Sequence, residues 1–214
     1  MQTSIFGFGE LNEYGSIWWK SLQARKNIFV DECGWDIPHN SQVEFDGYDR
    51  PDTSYIVVHD DDVIYGGIRL IPTTGVWGPH TSMIGDAYEG KLDNIPRDLV
   101  DFYCPEPNVF EASRIFVNVK DHRRRLTTLY KLFDSAIQEL HRRGGDIIIS
   151  INPVSMMKPI RRSGLSSIQA GRSLFYGGDE HAVIATSKHT EEYIRYCLAI
   201  PKVGEDLPLP IAAE

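Results

Sequence analysis

Arg25 poses the first chemical question in this sequence. With Trp18, Leu22 and Phe29 it follows spacings of three and four, the repeat of one helix face. A guanidinium on an apolar face is costly to bury unless it is paired. Asp46 and Asp49, in the next segment, are its natural partners. A plain salt-bridge cluster would use the same residues. Phe29 and Trp35 lie beside these charges and offer ring faces to an adenine or an onium centre, since a ring quadrupole attracts cations. Taken singly, each also fits an ordinary core aromatic.

A second constellation opens a long helix, where Arg123, Arg124 and Arg125 follow Asp121 and His122. Cations there oppose the helix dipole, so helix stability does not account for them. Added to free backbone N–H groups, three arginines make a site for phosphate, such as a phosphopantetheine or a CoA pyrophosphate. The alternative is a solvated basic turn.

Glu111 and Arg114 share one strand, yet strict alternation would put them on opposite faces, so only a bulge lets both reach one cavity. A carboxylate in such a cavity can take a proton from a substrate amine, directly or through water. Strand N–H groups exposed by the bulge can polarise a thioester carbonyl. That chemistry is acyl transfer. The serines lack a Gly-x-Ser-x-Gly context, and the cysteines have no recognisable histidine partner. Direct attack by the acceptor amine, without a covalent enzyme intermediate, is the simpler scheme.

The elements that must position these residues follow from hydrophobic period and turn signals. Strands are expected at residues 2–8, at 54–60 and 63–71 as a hairpin, at 109–119, at 146–152, over SSIQAGRSLFYG and at 181–187. Helices are expected at 12–30, 123–143, 154–162 and 190–199, with a short one at 83–88. Gly66 and Gly67 mark a bulge or a close backbone approach. Residues 33–51 form a long loop that holds Trp35, Asp46 and Asp49.

A chain of 214 residues, 42% hydrophobic, supports one mixed domain over 1–200. PKVGEDLPLPIAAE, residues 201–214, reads as an extended or mobile tail. No apolar run approaches the roughly 18 residues that cross a bilayer, and the first residues lack an export signal, so a cytoplasmic protein without a membrane partner is expected. A net charge of −8 argues against nucleic-acid binding. The three cysteines, Cys33, Cys104 and Cys197, lack the spacing of a metal site and read as reduced thiols.

In order, Arg25, Phe29, Trp35, Asp46, Asp49, Arg69, Glu111 and Arg114 resemble the charged and aromatic signature of the LuxI-type acyl-homoserine lactone synthases. RKNIFVDECGW, EFDGYD, GGIRLIPTTG and EASRIFV each resemble segments of that family, over about residues 5–190. The resemblance implies an α/β fold, a three-layer α/β/α sandwich around a mixed, splayed sheet like that of the GCN5-related N-acetyltransferases. It implies a two-step reaction for quorum sensing. The amine of S-adenosylmethionine attacks an acyl thioester, then its carboxylate closes a lactone and expels methylthioadenosine.

By the same resemblance Arg25, Phe29, Trp35, Asp46 and Asp49 form or order the adenosylmethionine site. Glu111 becomes the base or water-orienting residue, Arg114 a supporting ion-pair partner, and Arg69 an organiser of the same charged network. Ser150, Met156 and Met157 fall near the acyl pocket. Two departures stand out: TSMIGDAY replaces a segment that carries phenylalanine in many relatives, and Ser150 and Asn152 stand where a threonine often accompanies 3-oxoacyl preference. No metal and no cofactor are implied, both reactants being substrates. The donor is an acyl-CoA or an acyl carrier protein. The latter, being acidic, would need a basic patch, which Arg123–Arg125, Arg142, Arg143, Lys158, Arg161 and Arg162 can supply. Two competing readings are an N-acetyltransferase using acetyl-CoA on a small amine, and a non-catalytic ligand sensor.

Overall fold

Alternating apolar residues in SYIVVHD and VIYGGIRLIP make an antiparallel pair, β2 (Ser54–Asp60) and β3 (Val63–Pro72), at the centre of one half of the sheet. The structure, a computed structural model, describes residues 1–60 and 63–200; the tail expected at 201–214 lies outside them. β1 (Gln2–Phe6) pairs antiparallel with β2, and β3 with β4 (Val109–Val117). β4 then runs parallel to β5 (Ile147–Pro153), which pairs antiparallel with β8 (Asp179–Ser187). β6 (Ser166–Gln169) and β7 (Leu174–Tyr176) share the far edge of β8 and complete an eight-stranded mixed sheet.

A parallel pair needs a crossover, and here it is α3 (His122–Arg142). β4 and β5 are in register only at Val109↔Ile147, Phe110↔Ile148 and Glu111↔Ile149. Both strands run on beyond that point, so the sheet splays open just past Glu111. On one face α3 and α4 (Met157–Arg162) cover the sheet, with Leu132, Phe133 and Ile160 against Leu70, Ala112 and Ile184. The opposite face is covered by α1 (Leu11–Arg25) over β1–β3 and by α2 (Met83–Tyr88) and α5 (Glu191–Cys197) over β5 and β8. The three-layer α/β/α arrangement with a splayed mixed sheet is the one expected. No helix among the described residues is long and apolar enough to cross a membrane.

Two elements differ from expectation for identifiable reasons. The helix expected over 12–30 stops as an α-helix at Arg25 and continues as a π-helix, Lys26–Glu32. Its wider turn ends with the Cys33 N–H bonded to the Ile28 carbonyl at 2.9 Å, and periodicity alone does not reveal such a turn. The strand expected over SSIQAGRSLFYG is broken in two because Asp101 captures the Arg172 N–H at 3.0 Å and its guanidinium at 2.8 Å. A Cβ on Gly171 would stand 2.1 Å from Asp101 Oδ1.

Gly66 and Gly67 lie where β3 changes register against both neighbours. A Cβ on Gly66 would meet the Phe116 carbonyl oxygen at 2.7 Å and Leu132 at 3.0 Å, so its absence lets α3 seat on the sheet. Gly66→Ala is expected to lower stability by about 1–3 kcal/mol. Gly15→Ala, with nothing within 4 Å inside α1, should raise it by about 0.5–1 kcal/mol. Urea midpoints measure both, and equal midpoints for the two variants would refute the packing account.

Candidate active site

Three arginines and three carboxylates close a ring of ion pairs. Arg25, in the last turn of α1, bonds Glu44 Oε2 at 2.5 Å and grips Asp49 with both terminal nitrogens at 2.7 and 2.9 Å. Arg69 on β3 reaches Asp49 at 3.1 Å and Asp46 Oδ2 at 3.2 Å. Arg114 on β4 reaches Asp46 at 2.7 Å and Glu44 at 3.2 Å. Followed around, the order is Arg25, Asp49, Arg69, Asp46, Arg114, Glu44 and back to Arg25. Each guanidinium touches two carboxylates and each carboxylate two guanidinia, so the formal charges cancel.

The loop supplies all three acids because its own backbone aims two of them inward. Asp46 accepts the Tyr48 N–H at 2.9 Å, and Asp49 accepts the Asp46 N–H at 3.0 Å. Burial opposes charge on both aspartates, but Arg69 and Arg114 hold Asp46, and Arg25 and Arg69 hold Asp49, below the usual carboxylate range. Burial likewise opposes charge on Arg25 and Arg69, and the aspartates hold both above the ordinary arginine value. Glu44, Asp46 and Asp49 come close enough to hold a cation. Three guanidinia already occupy that position, which makes the group a poor metal site.

Of the two acids expected beside Arg25, Asp49 pairs with it, but Asp46 binds Arg69 and Arg114 instead and Glu44 takes its place at Arg25; Arg69 joins the network as the resemblance implied. Glu44 was missed, although it stands two residues before Asp46. A third acid is what three buried arginines require, and that count is the signal that would have found it.

Arg114 joins the ring through the bulge that alternation demanded. Its φ is 50°, a left-handed conformation uncommon outside glycine. β4 spends one extra residue against β3 between Ser113 and Phe116. Ser113 on the same strand accepts from Arg69 Nε at 3.1 Å. Glu111, at the point where β4 and β5 part, is fully buried. Its Oε2 accepts the Ile84 N–H of α2 at 2.7 Å, and its Oε1 has no hydrogen-bond partner among the described residues. Burial pushes the Glu111 carboxyl upward, against the Ile84 amide, the Ser82 hydroxyl and Arg69.

The π-helix sets Phe29 beneath Trp35 with ring centroids 4.8 Å apart and 19° between planes. Trp35 is 48% exposed, so one indole face is open to solvent. The Arg114 guanidinium lies 5.7 Å from the Phe29 centroid, which joins this platform to the ring.

On the α3 face of the splay, opposite the face on which the Glu111 carboxyl meets α2, lies a narrow cleft with a cavity volume of about 30 Å³. Its walls are mostly apolar, among them Ala112, Ile115, Phe133 and Leu165, with Ser150, Asn152 and Thr186 as polar points. Ser150 thus faces the cleft, its Oγ accepting from Asn152 at 2.7 Å. Met156 and Met157 do not form its wall; they pack against the adjoining core. Arg123, Arg124 and Arg125 stand exposed at the head of α3, where Asp121 caps the helix by accepting the Arg124 N–H at 2.9 Å.

An ordered charge ring, an aromatic platform, a buried acid with a free oxygen and an apolar cleft make a site for acylating an amine. A sequence profile of the family described as autoinducer synthase matches residues 16–193. An acyl-homoserine-lactone synthase of Ralstonia nicotianae is 32% identical over 186 residues, 83% of this chain and 84% of that protein. Among solved structures, TofI, crystallised in a ternary complex with an inhibitor and MTA, superposes with a TM-score of 0.67 at 24% identity, covering 94% of this chain and 98% of that one. BjaI, a CoA-dependent acyl-homoserine lactone synthase solved with SAM and isopentyl-CoA, gives 0.68 at 20% identity, with 95% and 92% covered. The chain belongs to the autoinducer synthase family, the acyltransferases that make acyl-homoserine lactones.

Proposed function

We propose that the ring and the Phe29–Trp35 platform order S-adenosylmethionine, that Glu111 takes the proton from its amine, and that the acyl chain of the thioester passes between β4 and β5 into the cleft on the α3 face. One observation carries this reading: Glu111 is completely buried, with one oxygen held by an amide and the other without a partner among the described residues. A buried acid with a free lone pair is poised to accept a proton, directly or through one water. Most of the ring's charge is taken up in its own pairing, so it shapes the pocket more than it grips the ligand, while Arg114 Nη1 meets the Met83 sulfur at 3.9 Å and faces α2. Trp35 offers its open face to the adenine or the sulfonium.

The first step joins the adenosylmethionine nitrogen to the acyl carbon and releases the donor thiol. An α-amine with a pKa near ~8 needs only modest help from a base. In the second, the substrate carboxylate attacks the carbon beside the sulfonium and methylthioadenosine departs. Ring closure is intramolecular, and orientation is the main contribution required of the protein. The reading calls for no metal and no cofactor. The ligands of TofI and BjaI, MTA, SAM and isopentyl-CoA, support adenosylmethionine and an acyl-CoA as this chain's substrates. The exposed Arg123–Arg125 turn suits the phosphates of CoA and the phosphopantetheine of an acyl carrier protein equally.

Incubation with adenosylmethionine and a panel of acyl-CoA and acyl-carrier donors, read by mass spectrometry, should yield an acyl-homoserine lactone and methylthioadenosine in equal amounts. An N-acylated amine without methylthioadenosine would favour the plain N-acetyltransferase, and binding without turnover the sensor. Glu111→Gln is expected to lower kcat by about 10²–10⁴-fold with the fold intact; a near-normal rate removes Glu111 as the base. Because burial raises the Glu111 pKa, activity should fall with acid on a limb lying above the ordinary glutamate value of about 4.3. Trp35→Ala should raise KM for adenosylmethionine about tenfold, and unchanged kinetics would argue against the platform.

A further inference from the structure

Asp86 lies in α2 two residues beyond Ile84 and is fully buried, yet it belongs neither to the ring nor to the cleft. Tyr48 donates its hydroxyl to Oδ2 at 2.8 Å, and the His80 ring nitrogen Nδ1 meets the same oxygen at 2.8 Å. Oδ1 accepts the Thr81 N–H at 3.2 Å and the Thr81 hydroxyl at 3.0 Å, with Lys91 at 3.5 Å. Every neighbour is a donor, so the position is built for an ionised carboxylate. Burial opposes that charge, but His80, Tyr48 and Thr81 hold the carboxyl below its usual range.

These bonds lead somewhere. Tyr48 sits in the turn that carries the ring acids, with its N–H on Asp46 and its own ring 5.6 Å from the Arg69 guanidinium. At the other end α2 presents the Ile84 amide to Glu111. A continuous path therefore runs from the ion-pair ring through Tyr48 and Asp86 into α2 and on to Glu111.

We propose that Asp86, clamped by Tyr48, His80 and Thr81, is a positioning residue that fixes α2 so that the Ile84 N–H holds one oxygen of Glu111 and the other stays free for the substrate amine. The proposal rests on the reading of Glu111 as the base. If the clamp is lost, the amide withdraws, the charged form of Glu111 loses a donor, and its proton affinity rises. The other titratable or charged groups facing Glu111 are Arg69 from β3, Tyr48 from the loop and Tyr103 from the segment before β4. None of these changes identity when Asp86 is replaced.

The test is kcat and kcat/KM for adenosylmethionine against pH for the wild type, Asp86→Asn, Tyr48→Phe and Glu111→Gln, with thermal melts alongside. Asp86→Asn should move the acid limb of kcat/KM upward by about one pH unit and lower kcat about tenfold, with KM within about threefold. Tyr48→Phe keeps the His80–Asp86 pair and should shift the limb the same way by less. If Asp86→Asn does not fold, Thr81→Val, which removes a hydroxyl donor to Asp86 from a residue outside the groups facing Glu111, decides with the same expected shift. A wild-type acid limb in the folded variants, with Glu111→Gln inactive, overturns the positioning role and spares the base. A near-normal rate for Glu111→Gln overturns both.

Discussion

Six buried charges in one closed circuit constrain everything around them. Arg25, Arg69 and Arg114 come from a helix and two strands, and Glu44, Asp46 and Asp49 from one loop. Taking so many ions out of water costs several kcal/mol for each, and only excellent geometry offsets it. Here each ion meets two of opposite sign, so removing any one leaves two others short. The helix, the loop and the middle of the sheet are thereby locked in one relative placement, and the π-turn after Arg25 carries Phe29 and Trp35 to a fixed distance from it.

Glu111 is the counterpoint to that saturation. Each ring member meets two opposite charges, while Glu111, a short distance along the same strand from Arg114, keeps one oxygen without a partner among the described residues. A buried polar atom without a partner is rare in folded proteins, and it stands out more beside a ring of paired charges. The bulge at Arg114 and the splay past Glu111 place the two behaviours side by side. One group provides rigidity and the other reactivity.

Much of this was legible in the sequence because it followed from period or from charge. The order of strands and helices came from alternation and three-to-four spacing, and the need for a bulge came from Glu111 and Arg114 lying three apart on a strand. A lone arginine on an apolar helix face pointed to acids nearby. What escaped depended on contacts between distant segments. Glu44 looked like one more loop acid until Arg114 arrived beside it. The π-turn leaves no periodic trace in seven residues, and the break between β6 and β7 is imposed by Asp101, about seventy positions away. Asp86 carries no local signal, since Tyr48 and His80 find it only in the folded chain. Met156 and Met157 were placed in the right neighbourhood, but the side of the helix turned to the cleft is set by packing.

The scatter of the ring along the chain also bears on how the site comes into being. Its acids lie at positions 44–49, but the last arginine to close it is 70 residues beyond Glu44. Loop-closure entropy makes such contacts late ones, and a chain emerging from its N-terminus carries the acids long before Arg114 is available. Until β4 docks, Glu44 and Asp46 lack a cation they are built around, and water is a better home for them than the core. The loop therefore stays outside until the sheet is assembled. Maturation of the pocket is coupled to completion of the fold, and a half-folded chain has no substrate site to offer.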